Sequence, residues 1–293
     1  MKKHIKIIMI LFSLFCFGIN NSLAVDMIQI KGSDTLINVA QKLSEEYMNK
    51  NSSAKIAVTG GGSGTGIAAI TNGKCDIANA SRLMKPKEIA EAASRGIIVK
   101  RVVVAIDGLS VIVNLNNPVT KLTVEEIGKI FRGEITNWSQ LGGENAPISL
   151  YGRQSNSGTY EFLREFILKG EYSSKMKRMN GNAQILEGVK QDKTGIGYVG
   201  AGYLKTAQGI NVVDVAMRAG GEYVSPRDKE NIYSGRYPIA RPLNQYISST
   251  AGQKVRDFIA YELSPEGQQV VEDEGFFKLS QEYVDFNKKS VGL

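Results

Sequence analysis

Four short segments of the sequence carry small hydroxyl residues or arginine, and each follows a predicted strand. They are residues 32–35, 60–66, 79–82 and 152–159. Hydroxyl and backbone N–H groups donate hydrogen bonds, arginine adds a charged planar fork, and glycine permits close backbone approach. Unpaired N–H groups at the start of a following helix also favour a bound anion. The segments therefore predict a site for an anion that carries several oxygens.

The side chains with suitable chemistry are spread over all four segments. A serine or threonine before a helix is often only an N-cap, and an arginine often only forms a surface ion pair. In an open α/β sheet, however, the loops that follow parallel strands converge on one crevice. Four such loops favour one shared anion site, with Arg82 and Arg153 as its charges. The hydroxyl residues are Ser33, Thr35, Ser63, Thr65, Ser81, Ser155, Ser157 and Thr159.

Several kinds of catalytic site lack the residues that they need. The only histidine, His4, lies in the leading segment, which removes most hydrolase triads and zinc sites from consideration. A nucleotide P-loop requires Gly-Lys-Ser or Gly-Lys-Thr, whereas residues 65–67 are Thr-Gly-Ile. A dinucleotide fingerprint fits residues 64–69 only weakly, because Ser81 and Arg82 stand where an acidic residue is expected. We therefore expect a protein that is not an enzyme and has no cofactor and no metal.

The first 24 residues have the three regions of a secretory signal peptide. Three lysines fall within residues 2–6, residues 7–17 form an apolar run, and residues 22–24 are Ser-Leu-Ala. The apolar run is shorter than the roughly 20 residues that span a bilayer. Cleavage is therefore favoured over a membrane anchor, and the bulky residues before Cys16 disfavour a lipoprotein. We expect a free periplasmic protein that begins near residue 25.

The composition of the mature chain fits a binding protein for a small anion. The formal charge of the full sequence is +7, and it falls to +4 without the three lysines of the leading segment. Such a mild excess favours an anionic ligand. Long basic runs interleaved with aromatic residues are absent from the sequence, so a nucleic-acid partner is not supported. Cys75 is the only cysteine left, which excludes an intramolecular disulfide, and we interpret it as a small buried apolar residue.

Strand-like and helix-like segments alternate along the chain. Apolar residues at helical spacing predict helices at 36–48, 66–72, 86–94, 123–131, 158–168 and 252–263, with strands between them. This rhythm predicts an α/β protein with mostly parallel sheets flanked by helices. The economical arrangement has two lobes joined by two crossing strands, which we expect at 107–114 and 237–248. Lobe I then comprises residues 25–107 and 245–293, and lobe II comprises residues 108–244.

The sequence resembles one known family, the periplasmic phosphate-binding proteins of phosphate ABC transporters. The match extends over nearly the whole mature chain, from residues 32–35 through 135–138 and 195–199 to 237–243. Its most specific feature is the spacing from Arg153 to Ser157-Gly158-Thr159. The resemblance implies a two-lobed type II periplasmic-binding-protein fold that closes over inorganic phosphate. It also implies a membrane permease as partner, and we expect the protein to be a monomer.

The resemblance also assigns ligand roles to particular residues. The third segment departs from the best-known pattern, because Arg82, next to Ser81, stands where a carboxylate accepts the proton of phosphate. Asp107 and Asp34 are the other candidate acceptors. The alternative ligand is another tetrahedral oxyanion, such as sulfate, arsenate or a phosphate ester. The alternative to a binding protein is a phosphatase or oxidoreductase that uses the same loops. The ligands carried over from the family are Ser33, Thr35, the backbone N–H of Leu36, Ser63, Arg153, Ser157, Gly158 and Thr159.

Overall fold

The computed structural model describes residues 27–293, and the predicted signal peptide at 1–24 lies outside them. Strands and helices alternate from the start of this region. Val39, Ala40 and Leu43 form the buried face of the first helix, as their helical spacing predicts. In chain order the elements are β1 (Ile28–Gly32), α1 (Ile37–Lys50), β2 (Ile56–Gly61), α2 (Ser63–Thr71), β3 (Ile77–Ala80), α3 (Pro86–Ser94) and β4 (Val99–Gly108).

The middle of the chain forms a second set of elements. A π-helical segment, Leu163–Leu168, continues the short helix α5. The elements are β5 (Ser110–Asn114), β6 (Lys121–Thr123), α4 (Val124–Arg132), β7 (Ser149–Arg153), α5 (Gly158–Phe162), β8 (Lys177–Met179), α6 (Asn182–Gln191), β9 (Gly195–Val199), β10 (Ile210–Val212), β11 (Asp214–Ala216) and α7 (Lys229–Tyr233). The chain then ends with β12 (Ala240–Ser248), α8 (Gln253–Leu263), α9 (Pro265–Asp273) and α10 (Gln281–Val291).

Ten of the strands form two five-stranded sheets, and β6 and β11 pair separately. We call each five-stranded sheet with its packed helices a lobe. The order is β2-β1-β3-β12-β4 in the first lobe and β10-β5-β9-β7-β8 in the second. Only β12 and β5 run antiparallel to their neighbours, so four strands of each sheet share one direction. Each reversed strand is the one that enters from the other lobe. The prediction of an α/β protein with mostly parallel sheets is confirmed in this sense.

Two connections carry the chain between the lobes. The predicted strand over residues 107–114 is two strands, because β4 ends at Gly108 and β5 begins at Ser110. On the return, β12 pairs with β4 from Ala240 onwards, opposite Gly108. The chain therefore rejoins the first sheet at Ala240, whereas the sequence predicts the lobe boundary between residues 244 and 245.

The strands place the four segments with hydroxyl residues or arginine at the same edge of each sheet. Every residue of β3, β5 and β9 is buried, as expected for strands covered on both faces. The carboxyl ends of β1, β2, β3 and β7 lead directly into the four segments. Within residues 27–293, no helix is both long enough and apolar enough to cross a bilayer.

Candidate anion-binding site

Hydroxyl groups from both lobes meet in one buried cluster. In the first lobe, Ser33 Oγ donates to Ser81 Oγ at 3.0 Å, and Ser63 Oγ lies 3.4 Å from the same oxygen. From the second lobe, Thr159 Oγ1 lies 2.9 Å from Thr35 Oγ1 and 3.3 Å from Ser81 Oγ. None of the five residues is more than 3% exposed. The structure therefore brings predicted hydroxyls from all four segments together.

Two of the serine hydroxyl oxygens already accept hydrogen bonds from backbone N–H groups. Ser63 Oγ accepts a hydrogen bond from the backbone N–H of Ser81 at 3.0 Å. Ser157, the N-cap of α5, accepts from the N–H groups of Thr159 at 3.2 Å and Tyr160 at 3.4 Å. A hydroxyl that accepts from the protein keeps its own proton for another acceptor. The cluster can therefore present O–H donors to the oxygens of an anion.

Arg153 adds a buried positive charge at the end of β7. The residue is 2% exposed, and its Nη2 donates to Asn180 O at 2.9 Å. Its Nε and Nη1 are buried and have no hydrogen-bond acceptor among residues 27–293, although Nη1 lies 3.5 Å from Asp34 Oδ1. Burying such donors without an acceptor is costly. An anion bound beside Arg153 would complete its hydrogen bonds.

A tyrosine pair fixes the backbone at Arg153. Tyr198 Oη accepts from the Arg153 backbone N–H at 2.9 Å and lies 3.2 Å from Tyr172 Oη. Burial raises the pKa of Tyr198 to about 12. The phenol therefore stays neutral near pH 7, and the position of the β7 end does not depend on its ionisation.

Gly158 permits the close approach of the two lobes. A Cβ atom at this position would lie 2.8 Å from Ser81 Oγ and still nearer to Ser63 Oγ. Both oxygens belong to the first lobe, whereas Gly158 opens α5 in the second. Asn156 adds a hydrogen bond between the lobes, because its Nδ2 donates to Gly61 O at 2.8 Å. The lobes are therefore closed on the hydroxyl cluster.

The side chain of Arg82 and the backbone N–H of Leu36, both predicted to bind the anion, have hydrogen-bond partners within the first lobe. The Arg82 guanidinium donates two hydrogen bonds of 2.8 Å to the carboxylate of Glu88 in the first turn of α3. The structure does not bring this guanidinium into the hydroxyl cluster, because α3 starts close enough to capture it. The backbone N–H of Leu36 donates to Ser33 O at 3.1 Å. That N–H is therefore part of the turn that shapes the first segment.

Asp107 lies next to the cluster, but both of its oxygens are engaged. Oδ1 accepts from the Ala201 backbone N–H at 2.8 Å, and Oδ2 accepts from Arg241 Nε at 3.1 Å and Nη2 at 2.9 Å. Burial lowers the pKa of Arg241, and the Asp107 charge opposes this shift. Arg241 is not among the site residues predicted from the sequence. Its pairing with Asp107 follows from the register of β12 on β4, which no local pattern reveals.

Asp34 reaches from the first lobe to the second. Its Oδ1 accepts from the backbone N–H of Asn182 at 2.9 Å and from Asn182 Nδ2 at 2.8 Å. Tyr203 Oη donates to the backbone oxygen of Asp34 at 2.9 Å. Within residues 27–293, the side-chain hydrogen bonds to Asp34 all go to Oδ1 and none to Oδ2. Of the two candidate proton acceptors, Asp34 is thus the one that keeps a carboxylate oxygen available.

The donors at the lobe interface have the chemistry that an anion requires. In the part of the chain that the structure describes, no three His, Cys, Asp or Glu side chains are grouped to hold a metal ion. Buried donors from two lobes, with one arginine among them, can surround an anion when the lobes close. Two α/β lobes closed on such a cluster define the class of two-lobed solute-binding proteins.

Comparisons with known proteins give the family. The model of the PBP superfamily domain matches residues 20–266. Protein SphX of Synechococcus elongatus is 33% identical over 253 residues, which cover 83% of this chain and 74% of that protein. The phosphate-binding protein PstS of Pseudomonas aeruginosa is 32% identical, with 89% of this chain and 86% of that protein covered. The chain therefore belongs to the PBP superfamily and, within it, to the same family as PstS of Pseudomonas aeruginosa.

A solved structure agrees with this assignment. The phosphate ABC transporter substrate-binding protein of Clostridium perfringens, determined with bound phosphate, superposes with a TM-score of 0.78 at 29% identity. The superposition covers 87% of this chain and all of that one. The predicted resemblance to the phosphate-binding family and the predicted two-lobed fold are both confirmed.

Proposed function

We propose that this protein captures inorganic phosphate between its two lobes outside the cytoplasm and delivers it to the permease of a phosphate ABC transporter. The observation that carries the proposal is Arg153, a buried guanidinium whose Nε and Nη1 have no hydrogen-bond acceptor in residues 27–293. The hydroxyl cluster lies at the same lobe interface. The names of the Pseudomonas aeruginosa and Clostridium perfringens relatives, both phosphate proteins, support the same ligand.

The proposed ligands come from both lobes. Each hydrogen bond from a charged donor contributes on the order of 1.5–3 kcal/mol, and a neutral hydroxyl contributes about 1 kcal/mol. Several such bonds offset the cost of removing the anion from water only if the lobes close and complete the shell. The ligand set is Ser33, Thr35, Ser63 and Ser81 from the first lobe, with Arg153, Ser157, Gly158 and Thr159 from the second.

Asp34 is the proposed acceptor of the phosphate proton. Hydrogen phosphate carries one O–H donor that sulfate lacks, and a buried acceptor can select for it. Asp107 is a poorer candidate because Arg241 and Ala201 occupy both of its oxygens. Asp34 Oδ2 has no such partner among residues 27–293, and Arg153 Nη1 lies 3.5 Å from the other oxygen of the same carboxylate.

Binding without catalysis is the role that the site supports best. The Pseudomonas aeruginosa relative is named a phosphate-binding protein, and the Clostridium perfringens relative is named a substrate-binding protein of a phosphate ABC transporter. A monomer that binds in the periplasm and releases to a permease fits the two-lobed design. Incubation with phosphate esters, and with nicotinamide cofactors, tests the enzyme alternative; release of phosphate or hydride transfer at catalytic rates would contradict our proposal.

The ligand is tested by thermal unfolding across a panel of oxyanions, followed by calorimetry. A ligand that binds only the folded state stabilises it by RT ln(1 + [L]/Kd), or about 2.7 kcal/mol at a hundred times Kd. We expect phosphate to raise the melting temperature most and arsenate to follow it. Sulfate and phenyl phosphate should act only at much higher concentration. A larger shift with sulfate would refute phosphate as the ligand.

A further inference from the structure

The guanidinium of Arg241 is held in the first lobe, where the chain returns from the second. Arg241 lies on β12 opposite Asp107 of β4 and is 4% exposed. Its Nε and Nη2 donate to Asp107 Oδ2, and its Nη1 donates to Ser81 O at 3.0 Å. Three bonds to the first lobe fix both the position and the plane of the guanidinium.

The same guanidinium also bonds to the second lobe. Arg241 Nη2 donates to Thr159 Oγ1 at 3.0 Å, and its guanidinium carbon lies 4.9 Å from the centre of the Phe162 ring. Thr159 and Phe162 are the second and last residues of α5. These contacts exist only while the lobes are closed, because Arg241 is fixed in one lobe and α5 belongs to the other.

The bond from Arg241 determines which way the Thr159 hydroxyl can act. A threonine oxygen that accepts from arginine has one proton left to donate. That proton can reach Thr35 Oγ1, 2.9 Å away, or an anion oxygen in the same cluster. Without Arg241 the Thr159 oxygen can instead accept from Thr35 or Ser81, so its own proton has no fixed direction and must be ordered when the anion binds.

We infer that Arg241 is a closure-dependent positioning residue, which turns Thr159 into a fixed donor only when the lobes close. This inference rests on the proposed capture of phosphate. Arg241 acts on the anion through Thr159. Closure then strengthens the hold on a phosphate already inside, so the main kinetic effect of Arg241 is a slower release.

A double-mutant cycle between Arg241 and Thr159 tests the inference. The variants are Arg241→Gln, Thr159→Val and the double variant, with Thr159→Val keeping the side-chain shape but removing the hydroxyl. Release of radiolabelled phosphate into an excess of unlabelled phosphate gives the dissociation rate, and rapid mixing gives the association rate. We expect Arg241→Gln to raise the dissociation rate about tenfold and to change the association rate by less than about twofold, since changes within one site fall mostly on dissociation.

The cycle separates positioning from a structural role. In the Thr159→Val background, Arg241→Gln should change the dissociation rate by less than about twofold, because there is no hydroxyl left to orient. Equal effects of Arg241→Gln in both backgrounds would refute the inference while leaving phosphate capture intact. A wild-type protein that does not retain phosphate would instead refute the proposed function.

Two further variants keep the test decisive. Arg241→Gln leaves Asp107 without its charged partner and can unfold the protein. In that case Arg241→Lys is used in its place. Lysine keeps the charge but lacks the fork that reaches Asp107 and Thr159 together. Phosphate should still dissociate faster from the Arg241→Lys variant than from the wild type. The control is Arg101→Gln on β4, whose Nε donates to Asn244 Oδ1 at 2.7 Å within the first lobe. That change should leave phosphate release unaltered, and a faster release would contradict the cross-lobe mechanism.

Discussion

Thr35 and Thr159 belong to different lobes, and their hydroxyl oxygens lie 2.9 Å apart in the buried cluster. Thr35 follows the first strand of the first sheet, whereas Thr159 lies in the first turn of α5 in the second lobe. A distance this short between the lobes is possible only because the neighbouring position, Gly158, carries no side chain against Ser63 and Ser81. Closure and anion capture therefore depend on the same few atoms.

We predict that Gly158→Ala weakens phosphate binding by tenfold or more, which corresponds to about 1.4 kcal/mol. The added methyl group would lie 2.8 Å from Ser81 Oγ, so the lobes would be held slightly apart. Alanine suits the first turn of a helix, and the unliganded fold should be as stable as before. Calorimetry measures the affinity. Gly252→Ala is the control, because no atom lies within 4 Å of a Cβ there, and its affinity should match the wild type.

Arg153→Ala should cost about 3 kcal/mol of phosphate affinity, because it removes a buried charged donor and leaves ligand oxygens unpaired. The matched control is Arg82→Ala. The Arg82 fork is bound to Glu88, so its loss should change phosphate affinity by less than about threefold, or roughly 0.6 kcal/mol. Equal losses in the two variants, measured by calorimetry, would mean that Arg153 acts only through the general charge of the cleft.

The contrast between Arg82 and Arg241 shows the limit of local sequence patterns. The segments with hydroxyl residues can be identified because the strand end, the loop and the helix start are close together in the sequence. Arg153 can be identified in the same way. Arg82 has the same local setting, yet Glu88 lies six residues later and takes its guanidinium. Arg241 enters the site only through the pairing of β12 with β4, between residues 134 positions apart.

The lobe connection illustrates a second limit. Residues 107–114 are Asp-Gly-Leu-Ser-Val-Ile-Val-Asn, and this pattern does not reveal that the strand breaks at Leu109. The sequence alone leaves the role of Asp107 open between proton acceptor and arginine partner. The structure gives it two protein partners, which the sequence could not specify because both lie far away along the chain.

Asp34→Asn and Asp107→Asn should separate proton recognition from structural support. If Asp34 accepts the phosphate proton, Asp34→Asn should lower the ratio of phosphate to sulfate affinity by roughly tenfold or more, since a buried acceptor is what rejects an anion without the donor. Asp107→Asn weakens the hold on Arg241, so both affinities should fall together and the ratio should stay constant. Competitive calorimetry near neutral pH gives both ratios. The opposite pattern would return the acceptor role to Asp107.

The thiol of Cys75 should be nearly inert in the folded protein. Cys75 is 9% exposed, and burial raises its pKa to about 12. The reactive thiolate is therefore scarce near neutral pH, and reagents cannot reach it readily. We expect a disulfide reagent such as dithionitrobenzoate to label the native protein very slowly and the urea-unfolded protein within seconds. Rapid labelling of the native protein at pH 8 would contradict the burial of this residue.

Glu262 on α8 has a fully buried carboxyl group, whose Oε1 accepts from Gln245 Nε2 at 3.0 Å. Burial raises the pKa of Glu262 to about 8, and the bond from Gln245 opposes this change only partly. Its Oε2 and the Gln245 Oε1 both lack a hydrogen-bond donor among residues 27–293, so a neutral side chain suits the site. The unfolded carboxyl ionises near pH 4.5, while the folded one stays protonated up to about pH 8. Stability is therefore full below pH 4.5 and declines as the pH rises to 8.

Glu262→Gln should remove this decline, because glutamine is neutral at every pH and offers Gln245 a donor. A tenfold change in an acid dissociation constant corresponds to about 1.4 kcal/mol, so we expect the variant to be more stable than the wild type by roughly 3 kcal/mol at pH 7. The difference should nearly vanish at pH 4.5. Urea unfolding between pH 4.5 and 8.5 measures it, and Glu187→Gln, at a side chain 61% exposed on α6, is the control that should leave the pH dependence unchanged. A wild type and a Glu262→Gln variant with parallel curves would show that the buried carboxyl does not titrate across this range.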